Sequence, residues 1–87
     1  MLMTNTTYDI TEINQALTMC QAVHEVQERF ESWYIEYEEH SGGMWLLRLF
    51  IDRDHDNPVN TIRVRKSNSP ASTVRAIMRG YGCKEPN

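Results

Sequence analysis

Residues 33 to 51 read WYIEYEEHSGGMWLLRLFI, and this stretch decides the fold. Up to the Ser41-Gly42-Gly43 segment, side chains of alternating polarity predict a half-buried β-strand. The adjacent glycines tolerate positive φ without penalty, so they predict a turn. After the turn, Met44 to Ile51 is apolar on both faces except at Arg48, which is typical of a central strand. The stretch therefore predicts two antiparallel strands joined by a tight turn.

A third strand is predicted at residues 61 to 65, where Thr61-Ile62-Arg63-Val64-Arg65 alternates again. The polar segment from Asp52 to Pro58 forms the loop before it. The three strands make an antiparallel meander. Its inner face is predicted to carry Trp33, Ile35, Trp45, Leu47, Leu49, Ile51, Ile62 and Val64. Its outer face is predicted to carry Tyr34, Glu36, Arg48, Phe50, Arg63 and Arg65.

Helices are predicted on both sides of the meander. The first opens at Asp9, which has the capping-box spacing to Glu12, and runs to about Glu31. The second opens at a Ser69 cap with Pro70 in its first turn and ends at Gly80 or Gly82. The apolar stripe that the first helix is expected to bury consists of Ile13, Ala16, Leu17, Cys20, Val23, Val26 and Phe30.

These elements predict an α+β fold of one domain, in the order helix, three-stranded antiparallel meander, helix (αβββα), with both helices packed on one sheet face. The domain is expected over residues 9–82. Residues 1–8 are expected to form a flexible N-terminal arm and residues 83–87 a loose C-terminal tail.

Composition limits the protein's class. The 87 residues are 40% hydrophobic and 24% charged, which predicts one small folded domain. No apolar run reaches the roughly 18 residues that span a bilayer, and Met1 to Tyr8 lacks the basic and apolar regions of a secretory signal. We therefore expect a cytoplasmic protein with no membrane partner, and homo-oligomer formation stays open at this point.

The net charge of −3 conceals an asymmetry. Residues 1–43 carry eight acidic side chains against one basic, while residues 44–87 carry eight basic side chains against four acidic. Oppositely charged halves of this kind indicate separate faces for separate partners, or two halves that attract each other in the fold.

Two metal-site patterns are incomplete. Asp52, Asp54 and Asp56 alternate as in the start of a calcium loop, but Arg63 stands at the twelfth position, where a bidentate Glu is needed. Cys20 and His24 are four apart on the predicted helix, with no second ligand pair at zinc-like spacing. We predict no metal site and no cofactor.

Catalytic motifs are also lacking. The sequence has no Gly-x-Ser-x-Gly elbow and no phosphate-binding glycine loop. The neighbouring carboxylates of Glu38 and Glu39 point to opposite faces of a strand, so they do not converge on one substrate. We therefore predict that the protein is not an enzyme.

The first functional hypothesis is a small protein-interaction module, because the region from Phe30 to Phe50 combines carboxylates with most of the aromatic residues. In size and acidity the chain resembles the small inhibitors that phages and mobile elements make against host defence or nucleic-acid-handling proteins. A protein partner is expected to contact Glu25, Glu28, Glu31, Glu36, Glu38, Glu39 and Tyr34.

The alternative is a nucleic-acid-binding protein that uses the basic half of the chain. Arginine binds phosphates bidentately and stacks on bases. The element order is similar to that of the double-stranded-RNA-binding domain family, in which a lysine-rich motif at the start of the last helix holds phosphates. The matching stretch here is Ser67 to Ser72, with Lys66 just before it. The candidate phosphate contacts are Arg48, Arg63, Arg65, Lys66, Arg75 and Arg79.

Overall fold

The computed structural model describes residues 10–51 and 56–83, and within these ranges the chain forms two helices and three strands. In chain order they are α1 (Ile10–Arg29), β1 (Trp33–His40), β2 (Met44–Ile51), β3 (Asn60–Arg65) and α2 (Pro70–Gly80). The predicted αβββα order is confirmed. The predicted Asp9 cap, the arm over residues 1–8 and all but the first residue of the tail lie outside the described residues.

The sheet is an antiparallel meander in the order β1-β2-β3. Ile35 lies opposite Leu49 in the first strand pair, and Trp45 lies opposite Val64 in the second. The turn between β1 and β2 contains Gly42 at φ 80° and Gly43 at φ 71°. Only glycine adopts this region readily, which explains why the turn follows the two adjacent glycines.

The core lies between the helices and the inner face of the sheet. Both helices contribute to it, so both pack on the same face, as predicted. Leu47 and Leu49 of the central strand are completely buried there. Among the predicted inner-face residues, Ile51 at the end of β2 is exposed instead. Phe50 is 2% exposed although the register places it on the outer face, where its ring lies 5.9 Å from that of Tyr34.

The prediction of which side α1 buries was wrong for its N-terminal half. The residues that α1 buries are Met19, Ala22, Val23 and Val26. The residues that were predicted to be buried and are exposed are Ile13, Ala16, Leu17 and Cys20. Because successive residues advance by 100°, Leu17 lies about 160° around the helix from Met19. The helix thus has two apolar faces, and the sheet covers only one of them.

Helix α2 begins as its sequence predicts. Ser69 caps it, and its hydroxyl oxygen accepts a 3.1 Å hydrogen bond from the backbone N–H of Ser72. Thr73, Val74 and Ile77 are buried, whereas Ala71 in the first turn is exposed. Within the described ranges, neither helix has the length and apolar character needed to cross a membrane.

Candidate protein-binding surface along strand β1

Strand β1 forms one free edge of the sheet, and part of its backbone is unpaired. The N–H of Ile35 donates a 3.0 Å hydrogen bond to the Gln27 side-chain oxygen, so the backbone of Ile35 points away from β2. Because backbone direction alternates along an antiparallel strand, the amides of Tyr37 and Glu39 also point outward. Among the described residues, neither of these amides has a hydrogen-bond partner.

The opposite edge is formed by β3, and some of its outward backbone groups have partners within the chain. The N–H of Thr61 donates to the side-chain oxygen of Asn60 at 2.9 Å, and the carbonyl of Arg65 accepts from the N–H of Asn68 at 3.1 Å. Arg63 and Arg65 add exposed basic side chains, which oppose pairing with another strand. The two edges therefore differ in charge, because the β3 edge carries basic side chains and the β1 edge carries acidic ones.

Five of the seven residues predicted to contact a protein lie around β1. The side chains of Glu36 and Glu38 project on the outer face together with Tyr34, and Glu39 lies on the inner side. Glu31 stands in the connection between α1 and β1. We call Glu31, Tyr34, Glu36, Glu38 and Glu39, together with the β1 edge, the β1 acidic surface.

The other two predicted contacts lie on α1 and not on β1. Glu25 lines a groove between α1 and α2 and lies 3.8 Å from the guanidinium of Arg29. Glu28 is paired with the ring of His24 at 2.7 Å. Because α1 turns by 100° per residue, Glu25 and Glu28 lie only about 60° apart around the helix.

The carboxylates of the β1 acidic surface are only partly neutralised. Glu38 accepts a 2.7 Å hydrogen bond from the guanidinium of Arg48, and Glu39 lies 3.5 Å from the ammonium of Lys66. Within residues 10–51 and 56–83, Glu31 and Glu36 form no ion pair. The carboxylates of Glu31 and Glu36 are therefore available to pair with a cationic group of another molecule.

A shallow cleft of about 340 Å³ lies at the start of the β1 edge and is lined by Gln27, Glu31, Trp33 and Tyr34. Trp33 is rigidly held, because its ring stacks between those of Phe30 at 3.9 Å and Tyr81 at 3.8 Å. A carboxylate beside aromatic walls is a suitable site for an arginine or lysine side chain.

An apolar stripe on α1 borders the same edge. Cys20 and Gln27 lie two turns apart on one side of the helix and both face β1, because the Cys20 thiol lies near the Tyr37 hydroxyl and Gln27 bonds to Ile35. Burial and this thiol together raise the pKa of Tyr37. Ile13 and Leu17, which are 44% and 53% exposed, continue that side toward the helix N-terminus. We call Ile13, Leu17 and Cys20 the α1 apolar stripe.

Sequence reasoning missed the α1 apolar stripe as a surface. Its four- and three-residue spacing is the same as that of a buried face, and only the position of the sheet distinguishes the two. The outward-pointing amides of β1 were also missed, because which amides of a strand point outward depends on the strand with which it pairs.

The six basic residues of the nucleic-acid hypothesis are divided among several places. Arg63 and Arg65 are exposed on the outer face, while Arg75 and Arg79 lie on α2, on the other side of the sheet. Arg48 lies on the outer face with Arg63 and Arg65, but its guanidinium is hydrogen-bonded to Glu38. Lys66 is held by Glu39 and also lies 4.9 Å from the centre of the Trp45 ring. The structure does not bring these cations together into one basic surface.

In the part of the chain that the structure describes, no cluster of three or more His, Cys, Asp or Glu side chains is arranged to hold a metal ion. Cys20 and Cys83 are free thiols. The candidate calcium residues Asp52 and Asp54 lie outside the described residues.

Comparison of the chain with protein-family models, with curated proteins and with solved structures finds no match.

Proposed function

We propose that this chain is a protein-interaction module that binds a cationic surface of another protein through the β1 acidic surface. The observation that carries the proposal is that Glu31 and Glu36 have no ion-pair partner among the described residues and lie beside a strand edge that no described strand covers. The exposed side chain of Tyr37 and the half-buried side chain of Tyr34 on the same strand support it, because tyrosine is enriched in protein interfaces.

The charge of this surface favours a polypeptide partner over nucleic acid. Carboxylates repel phosphates, while they attract the lysine and arginine side chains that line nucleic-acid-binding grooves. In this proposal the protein acts in the cytoplasm as a small inhibitor, similar in kind to those of phages and mobile elements. It occupies a cationic groove of a host defence or nucleic-acid-handling protein, and its role is binding rather than catalysis.

The test compares a short polylysine with short duplex RNA and DNA, each fluorescently labelled, by anisotropy at low and moderate salt. We expect polylysine to bind to the protein, and we expect neither duplex to bind. The Glu36→Gln, Glu38→Gln variant should bind polylysine more weakly than the Glu25→Gln, Glu28→Gln variant, which removes the same charge elsewhere. Equal loss in both variants would show that only net charge matters and would contradict the proposal.

One observation favours the alternative, a double-stranded-RNA-binding-domain-like function. Arg63 and Arg65 lie two residues apart on the exposed outer face, and neither has an ion-pair partner among the described residues. Salt-sensitive RNA binding that an Arg63→Glu, Arg65→Glu variant loses would replace the protein-binding proposal with this one.

A further inference from the structure

We infer that the β1 edge takes up an extended segment of the partner as a fourth strand of the sheet, and that this segment carries basic residues on one face and apolar residues on the other. The inference rests on the proposed function and specifies its mode of binding and the chemistry of its partner. Strand addition is a common mode of peptide recognition, in which backbone hydrogen bonds supply affinity and side-chain contacts supply specificity.

The backbone of β1 is suited to such an addition over a defined length. The outward amides of Tyr37 and Glu39 are free to donate to a new strand. Toward the start of β1 the pairing with the added strand must stop, because the N–H of Ile35 already donates its hydrogen bond to the Gln27 side chain. The added strand therefore pairs with β1 beyond the N–H of Ile35, and one side chain past that limit reaches the cleft at Glu31.

The two faces of the added strand meet different surfaces. On the outer face its neighbours are Glu36 and Glu38, which require basic side chains. On the inner face it lies beside Tyr37 and next to the α1 apolar stripe, which flanks β1 through the contact between Cys20 and Tyr37. Leu17, which is 53% exposed, then gains an apolar partner. A segment in which basic and apolar residues alternate therefore complements the acidic outer face and the apolar inner face at the same time.

A second copy of this chain does not fit the β1 edge. Antiparallel pairing of two β1 strands centred on Tyr37 would set Glu36 of one copy opposite Glu38 of the other. Like charges directly opposite each other destabilise a strand pair. The same glutamates that attract a basic strand therefore protect the edge from pairing with itself.

The probe for this inference is a peptide of alternating arginine and valine, with two N-methylated versions of it. If the peptide adds antiparallel to β1, its valine amides face β1, so N-methylation of the valines blocks the backbone hydrogen bonds. If the peptide adds parallel, its arginine amides face β1, so N-methylation of the arginines blocks them. We expect the plain peptide to bind, and one of the two methylated versions to bind at least about tenfold more weakly. In the complex the amides of Tyr37 and Glu39 become protected from hydrogen exchange.

Two variants test the side-chain contacts. Binding of the plain peptide should weaken about tenfold in the Leu17→Gln variant, and by a similar factor in the double variant Glu36→Gln, Glu38→Gln. The Glu25→Gln, Glu28→Gln variant is the matched control and should bind normally.

The outcomes separate this inference from the proposed function. Binding that needs Glu36 and Glu38 but is unaffected by either methylation, with Tyr37 and Glu39 amides unprotected, overturns strand addition and leaves the proposed function standing. If none of these peptides binds at low salt while polylysine does, the inference fails and the proposed function stands; if polylysine also fails to bind, both fail.

Discussion

The side-chain oxygen of Gln27 on α1 accepts a 3.0 Å hydrogen bond from the backbone N–H of Ile35 on β1. This contact joins the helix to the strand edge and satisfies an outward-pointing amide of β1 close to the core. It also sets the limit beyond which another strand cannot pair with β1.

Replacing Gln27 with Ala should lower the free energy of unfolding by about 1–2 kcal/mol, because the partly buried N–H of Ile35 loses its partner. Gln21→Ala, the same change at an exposed position of α1, is the control and should have little effect. Urea denaturation measures both. Equal stabilities for the two variants would show that the contact contributes nothing.

Substitutions on the two apolar faces of α1 should differ sharply in cost. Met19→Ala empties a buried position and should cost about 2–5 kcal/mol. Leu17→Gln changes an exposed position and should stay within about 0.5 kcal/mol of the wild type. A large loss for Leu17→Gln in thermal or urea unfolding would mean that this side of the helix is covered in solution.

The hydroxyl of Tyr81 donates to the carbonyls of Phe50 at 2.9 Å and Tyr34 at 3.1 Å, and burial raises its pKa to about 12 from the usual 10.0. The raised pKa means that the folded state holds this proton more tightly than the unfolded state. The stabilisation is complete below pH 10 and should disappear as the pH rises to about 12.

Tyr81→Phe keeps the ring stacked on Trp33 and removes only the hydroxyl, so it isolates this effect. At neutral pH the variant should be less stable by about 1 kcal/mol. Urea midpoints at increasing pH should show the gap between wild type and variant closing above pH 10. A gap that stays constant up to about pH 12 would contradict the assignment.

Gly80 permits close packing of α2 on the sheet. A Cβ at this position would lie 2.5 Å from a methyl carbon of Leu49, which is completely buried. Gly80→Ala should therefore destabilise the protein by about 1–3 kcal/mol, although alanine is the better helix former. In a Leu49→Val background, which makes room at this site, the cost of the same substitution should shrink. An undiminished cost would assign the effect to something other than this contact.

The strand order and the second helix were predictable because their signals are local. The glycine pair at residues 42 and 43, the alternation on either side of it and the Ser69-Pro70 start each determine structure within a few residues. Other features depend on contacts that are distant in sequence. The hydroxyl of Tyr81 reaches the carbonyl of Tyr34, 47 residues away, and no local pattern indicates that bond.

The candidate site was predictable only in part, for the same reason. Glutamates at alternate positions of a strand predict an acidic outer face, and Glu36 and Glu38 are placed there. The spacing of Glu25 and Glu28 carries no information about distance from β1, and the structure places them elsewhere. The α1 apolar stripe satisfies the same spacing rule as the buried face, so only tertiary packing decides between them.

Amide hydrogen exchange along β1 shows most directly whether the β1 edge of the free protein is open. An open edge predicts alternation, with slow exchange at Glu36 and Glu38, whose amides face β2, and fast exchange at Tyr37 and Glu39, whose amides point outward. Slow exchange at all four amides in the free protein would mean that the edge is already covered and would contradict the proposed binding surface.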